Sequence, residues 1–328
     1  MLVTHIIGNG FDINQGLETS YRDFYTKYYL NQASNSLLID DLKKEIENNI
    51  NTWSDLELQI GRYTSKITTI DELSTIISDL QEKLADYIEG IENLDFDYDL
   101  KQVEQIKRDL IFPYHHLKNS EQELFGAYKN NHGAAEKVAV LSFNYTSTLE
   151  KILRLGNNKI IGGDRTRDVF FDGIKYIHNS INDKRNIILG VDNVGQIDNV
   201  TFRDETVACL YLVKPFLNQQ IGNLNDRECK KIISQSDVIS IFGVSLGDTD
   251  QTWWNEIGKT INKNDKRLIY FHYDDSVGEN AMRRLQREMT FKNALAKKMG
   301  IDDSNTQKVF VKFHNGNDIF KKAIVTKN

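Results

Sequence analysis

The chain has 328 residues, 40% of them hydrophobic, with 41 basic and 47 acidic side chains and a formal charge of −6. That is ample apolar material for the core of one large domain or two ordinary ones without disulfide or metal staples, and the two cysteines, Cys209 and Cys229, match no disulfide framework, zinc site or redox motif. The acidic balance argues against a broad nucleic-acid-binding surface; the absence of a basic leader, of a membrane-length apolar run (roughly 18 residues) and of paired cysteines leads us to expect a cytoplasmic protein with free thiols and no membrane partner.

The first predicted element is a strand over residues 2–7, with Leu2, Val3, Ile6 and Ile7, that stops at Gly8-Asn9-Gly10-Phe11-Asp12. Gly8 and Gly10 can take positive φ and have no Cβ, so a diphosphate could approach the backbone N–H groups; this reads as strand, phosphate-sized turn, helix, the opening of an open α/β nucleotide site. A plain tight turn is the alternative. Asn14 and Gln15 stand where G-x-G-x-x-G would place its third glycine, so a dehydrogenase fingerprint is absent. Residues 19–135 then read as a helical insertion: Thr19 or Ser20 caps a helix with an aromatic stripe of Tyr21, Phe24, Tyr25 and Tyr28, and apolar residues recur at helical spacing over 38–50 and 73–88 without a convincing strand. Glu92 to Asp99 resembles an acidic linker. Around Trp53, Ser54 is the expected helix cap, with Glu57 reaching into the nucleotide cleft as the alternative. The adjacent His115 and His116 point different ways in helix or strand and are discounted as metal ligands.

Alternation of strands and helices resumes at Val138–Phe143, an apolar run of the buried parallel type ending in Asn144-Tyr145-Thr146. A short strand over 175–179 ends in His178, and 186–192 reads as another with Asp192 at its mouth. A helix over 222–236 leads into the strand Val238–Phe242, which exits at Gly243-Val244-Ser245-Leu246-Gly247-Asp248-Thr249-Asp250. Strands over 267–272 and 308–314 flank a basic helix over 283–298. Residues 1–18 plus 136–328 therefore read as a doubly wound, mostly parallel Rossmann-like α/β domain, whose ligands should bind at the carboxyl ends of the strands. Asp12, Asp248 and Asp250 could together hold Mg²⁺ as in a nuclease, although Asp248 is equally well placed to cap the helix starting near Gln251.

These motifs in this order, Ile7 to Asp12, Gly16 to Phe24, Trp53 to Glu57, Phe143 to Thr146 and Gly243 to Asp250, resemble the AbiH family of phage abortive-infection proteins over nearly the whole chain. More remotely they are similar to the Sir2-like fold, in which such positions bind NAD and, in defence members, hydrolyse it. The resemblance implies an anti-phage effector with NAD as substrate or ligand and no metal. Gly8, Asn9, Gly10 and Phe11 would hold the cofactor at its diphosphate, and Asp12 would lie by the nicotinamide ribose. Asn144 would orient the ribose or the attacking water, His178 would be the general base, and Ser245, Leu246 and Asp248 would hold phosphate and the adenosine ribose. Two positions depart from the pattern: His178 is followed by Asn179 rather than glycine, and Val244 stands where AbiH-like chains carry histidine. The expected partners are a nucleotide and a phage or host protein trigger, with self-association as an option. The alternatives in other classes are a non-catalytic nucleotide-binding sensor and a metal-dependent nuclease.

Overall fold

Residues 1–163, 167–182, 187–263, 265–276 and 280–326 are described by a computed structural model. The first apolar run forms β1 (Leu2–Ile7), whose exit winds into the single turn of α1 (Gly10–Asn14). Ser20 caps α2 (Tyr21–Lys27) by accepting the Asp23 N–H, which would otherwise have no intrahelical partner. After α3 (Leu37–Asn48), α4 (Leu56–Tyr63) is capped by Asp55, which accepts the Leu58 N–H, and not by Ser54 as expected. A capping box of Thr69 and Glu72 opens α5 (Ile70–Glu92). The acidic stretch that follows contains a strand, β2 (Phe96–Tyr98), paired antiparallel with residues 324–326, so the helical run is interrupted after all. α6 (Leu100–Ile111) and α7 (Asn119–His132) lead to β3 (Lys137–Ser142), then α8 (Thr148–Leu153) and the ladder of β4 (Lys159–Gly163) with β5 (Asp168–Tyr176).

Asn186 of the expected strand at 186–192 lies outside the described residues; Ile187 to Val191 stay out of the main sheet and make one isolated bridge, from Val191 to Val213. The chain continues through α9 (Val200–Asp204), α10 (Thr206–Leu212), α11 (Lys214–Gln220), α12 (Leu224–Gln235), β6 (Val238–Phe242), α13 (Gln251–Lys263), β7 (Arg267–Tyr273), α14 (Ala281–Met299), β8 (Val309–His314) and β9 (Ile324–Thr326).

The seven-stranded sheet has the order β4-β5-β3-β1-β6-β7-β8, parallel throughout except for β4 at the edge. Taken alone, the six parallel strands run 3-2-1-4-5-6 in chain order, so the winding reverses between β1 and β6. Both faces are covered, which is why β3 and β6 are apolar without alternation. One face packs on α6 and α7, with Leu110, Phe125 and Tyr128 meeting Val3, Val140 and Phe242. The other packs on α12, α13 and α14, with Ile233, Trp254 and Leu295 meeting Ile6, Ile241 and Leu268. A third cluster joins α2 to α5 with Ile187, Leu189, Val191 and α9 to α10, forming a helical cap at the carboxyl ends of the strands. No helix among the described residues is long and apolar enough to cross a membrane.

Candidate functional site

Register sets the site. Ile7 is level with both Ser142 and Phe242, and Ser142 is level with Tyr176. Two residues further along each of these four strands come Asn9, Asn144, His178 and Val244, which therefore emerge at one edge of the sheet on either side of the winding reversal. A cavity of about 500 Å³ lies there, walled by the strand exits below and by Tyr21, Asp55, Glu57, Leu84 and Ile88 of the cap above. Gly8, Asn9, Asp12, Asn144, His178, Ser245 and Leu246 line it. The remaining candidates lie elsewhere. Phe11 is fully buried in the core and Gly10 lines a neighbouring cavity, while the Asp248 side chain is 68% exposed and hydrogen-bonded to Lys298 outside the cavity.

The glycine turn is built for a crossing of two strand exits. The Gly8 N–H donates to the Phe242 carbonyl at 3.0 Å and the Gly10 N–H to the Gly243 carbonyl at 2.8 Å, so both amides are occupied. A Cβ on Gly10 would stand 2.6 Å from the Gly243 Cα, and Gly243 itself has φ +68°, the left-handed region that glycine enters without penalty. Asn9 is also engaged: its Nδ2 donates to the Thr19 carbonyl at 2.9 Å and its Oδ1 accepts from the Thr19 hydroxyl, which ties the turn to the start of α2. Asn179 has φ +59°, a conformation that asparagine tolerates better than most residues, so the chain turns after His178 without the glycine of the resembled pattern.

Four of the side chains that line this cavity hold a buried polar atom without a partner. Asp12 is 1% exposed; one carboxylate oxygen accepts from the Thr146 hydroxyl and the other has no partner. Burial pushes its carboxyl up to about 7, against the lowering effect of the Thr146 hydroxyl. Asn144 anchors its backbone N–H on Ser142 Oγ at 3.1 Å, and its side-chain carbonyl has no donor. His178 Nε2 lies 3.0 Å from Asp250 Oδ1, and its Nδ1 is unpartnered. Glu57 Oε2 accepts from Lys214 Nζ at 2.6 Å, and its Oε1 is unpartnered.

The last two side chains are linked. Lys214, 4% exposed, also donates to Asp250 Oδ1 at 2.9 Å, so Glu57 of α4, Lys214 of α11, Asp250 and His178 form one buried chain of contacts across four segments. Burial works against ionising Asp250, yet Lys214 and His178 hold it below the ordinary carboxylate range. Lys214, though buried, is held above the ordinary range by Asp250 and Glu57. For Glu57 burial outweighs Lys214 and its pKa is raised. An ionised Asp250 only accepts hydrogen bonds, so His178 Nε2 is the proton-bearing nitrogen facing it, and in the neutral form of the ring the lone pair lies on Nδ1. Such an imidazole can take a proton from a bound hydroxyl or water, with Asp250 stabilising the cation formed.

Sequence reasoning offered Asp250 as a metal ligand and passed over Lys214. The available signal was a lysine between Val213 and Pro215, at the start of a helix and beside apolar residues. Among the described residues no group of three or more His, Cys, Asp or Glu is placed to hold a metal; Asp248 points to Lys298 and Asp250 to Lys214 and His178, so the trio with Asp12 does not assemble. The family model described as bacteriophage abortive infection AbiH matches residues 4–272. No curated protein matches the chain. With the match spanning β1 to β7 and every strand exit that lines the cavity, the chain belongs to the AbiH family of bacteriophage abortive-infection proteins.

Proposed function

We propose that this chain acts in phage abortive infection by hydrolysing the N-glycosidic bond of a nicotinamide dinucleotide, giving nicotinamide and ADP-ribose. The observation that carries this reading is that four residues lining one cavity at the winding reversal, Asp12, Asn144, His178 and Glu57, each hold a buried polar atom without a partner. Each unmet buried polar atom costs about 1–3 kcal/mol, so four around one cavity are best explained by a ligand that satisfies them. Asp12, Asp55, Glu57 and Asp250 line the cavity and Lys214 and His178 stand against them, a balance that suits a ligand rich in hydroxyl donors and bearing positive charge. A ribose attached to a pyridinium is such a group.

Nicotinamide leaves as a neutral molecule, so no general acid is required. As the bond from C1′ to the pyridinium nitrogen lengthens, positive charge develops on the ribose ring, which favours the ionised forms of Asp12 and Glu57 and is stabilised by them. His178 Nδ1 takes a proton from the attacking water or from a ribose hydroxyl, the water oxygen forms the new bond to C1′, and Asp250 stabilises the imidazolium. Asn144 supplies an amide that fixes the sugar or the water. The strand order 3-2-1-4-5-6 supports the same reading, because ligands of open α/β sheets bind where the winding reverses.

The experiment follows NAD⁺ in phage-challenged cells expressing the wild type, Asn144→Ala or His178→Ala. Collapse of NAD⁺ with the wild type alone is the expected result. Growth arrest with NAD⁺ level in all three overturns the hydrolase, and purified protein that binds NAD⁺ without turnover identifies a sensor instead.

A further inference from the structure

We propose that a second cavity, across the Gly243–Leu246 loop from the first, holds the neutral aromatic base of the dinucleotide whose ribosyl end occupies the first; this rests on the nucleotide reading above. The second cavity measures about 650 Å³ and sits at the exits of β6, β7 and β8. Gly243, Val244, Ser245 and Leu246 line both cavities, so this loop is the wall that separates them.

The two cavities differ in charge. Four carboxylates line the first, whereas no Asp, Glu, Lys or Arg is among the residues lining the second. Its walls are instead flat and apolar: Phe291 lies 4.1 Å from His272 between ring centroids, and Tyr273 and Ile13 stand at the mouth with 61% and 50% exposure. His314, 5% exposed, stacks on Phe242 at 4.9 Å. The His314 Nδ1 accepts the Gly316 N–H at 3.1 Å, so Nε2 carries the proton, and that N–H has no acceptor. Burial lowers both histidines, His314 to about 4, so neither contributes charge near neutral pH. A buried N–H donor beside flat apolar walls fits the ring nitrogen or exocyclic oxygen of an uncharged base.

The loop between the cavities suits the charged part of the same ligand. Among the described residues, the backbone N–H groups of Val244, Ser245, Leu246 and Gly247 have no acceptor, in contrast to the occupied amides of Gly8 and Gly10. Amides without an acceptor in the chain are left to donate to an anion such as a diphosphate. The ligand class is thus a dinucleotide with one cationic and one neutral base, joined across the exit of β6.

Calorimetry of the purified full chain with adenosine 5′-monophosphate tests the base subsite together with the loop amides, without the nicotinamide half, beside NAD⁺ hydrolysis assayed in parallel. Tyr273→Ala and Ile13→Glu alter solvent-facing residues, so folding is not at stake. We expect the mononucleotide to bind, Tyr273→Ala to weaken it about tenfold, since a lost base stack is of that size, and Ile13→Glu to weaken it by placing a carboxylate beside an anionic ligand. In the hydrolysis assay Tyr273→Ala raises KM for NAD⁺ and leaves kcat in place. Absence of mononucleotide binding to the wild type, or equal affinity in both variants, overturns the inference even if NAD⁺ is hydrolysed. Binding that depends on Tyr273 without NAD⁺ turnover keeps the subsite and removes the hydrolase.

Discussion

Asp12 has a near-neutral carboxyl because it is buried beside hydroxyl groups rather than beside a cation. Its proton is held to about pH 7 in the folded chain, against an ordinary value of 3.8. Between those values the native state binds a proton that the unfolded chain has released, so Asp12 lowers stability progressively as pH rises through that window. Below about pH 4 both states are protonated and the effect vanishes. Asp12→Asn should therefore be more stable than the wild type by roughly 3–4 kcal/mol at pH 8, with the gap closing towards pH 4. Urea unfolding of both proteins at the two pH values measures it; an equal gap at both would show that Asp12 does not titrate in this way. Asp12, Asn144 and His178 were legible in the sequence because each follows an apolar run closely, and strand exits collect at one edge of a parallel sheet. Lys214 was not: its partners lie 157 and 36 residues away, and no local pattern marks a lysine that the fold buries to 4% exposure.

At the level of elements, the crossing of the β1 and β6 exits is fixed by glycine on both sides. Gly243→Ala would place a Cβ 2.5 Å from the Phe11 nitrogen on a backbone with φ +68°, and Gly10→Ala would press on the Gly243 Cα. Neither contact can be relieved by rotating a side chain. Each substitution should cost about 1–3 kcal/mol, and Gly243→Ala the more because strain adds to crowding. Gly90, exposed near the end of α5 with nothing within 4 Å of its Cβ position, is the internal control: Gly90→Ala should raise stability by about 0.5–1 kcal/mol through helix propensity alone. Thermal melts of the three variants give the signs, and a neutral Gly243→Ala would remove the argument for the crossing. The same contrast between local and distant causes decides which elements the sequence revealed. β3, β6, β7 and β8 announce themselves as continuous apolar runs. β2 and β9 have three residues each and pair across more than 200 residues, so neither carries a pattern of its own. The run Ile187–Val191 is as apolar as a strand, but its side chains are used by the cap rather than the sheet.

The whole molecule is divided by packing, and the division cuts across the stretch 19–135 that reads as one helical unit. α2 to α5 join the cap, whose cluster is completed by Ile187, Leu189, Val191, Phe202, Ala208 and Leu212 from after β5. α6 and α7 instead cover one face of the sheet. Helical spacing shows that a helix has an apolar face, but not what that face meets, which is why periodicity alone groups these helices together. The cap is also tied to the sheet by polar contacts: Glu57 to Lys214, which in turn holds Asp250, at one side of the cavity, and Glu92, which accepts from the Ser147 N–H and Oγ, at the end of α5. Cap and sheet therefore share the cavity, and the cap's core is drawn from chain on both sides of β3 to β5. A fragment of residues 19–135 would leave the faces of α5, α6 and α7 without the surfaces that cover them, and most helical stability comes from such packing. The expected result for that fragment is residual helical circular dichroism with no cooperative thermal transition, together with binding of a hydrophobic dye, where the full chain melts cooperatively and binds none. A fragment that melts cooperatively and leaves the dye unbound would show instead that the helices form a self-sufficient unit, and that the cap is mounted on the sheet rather than built with it.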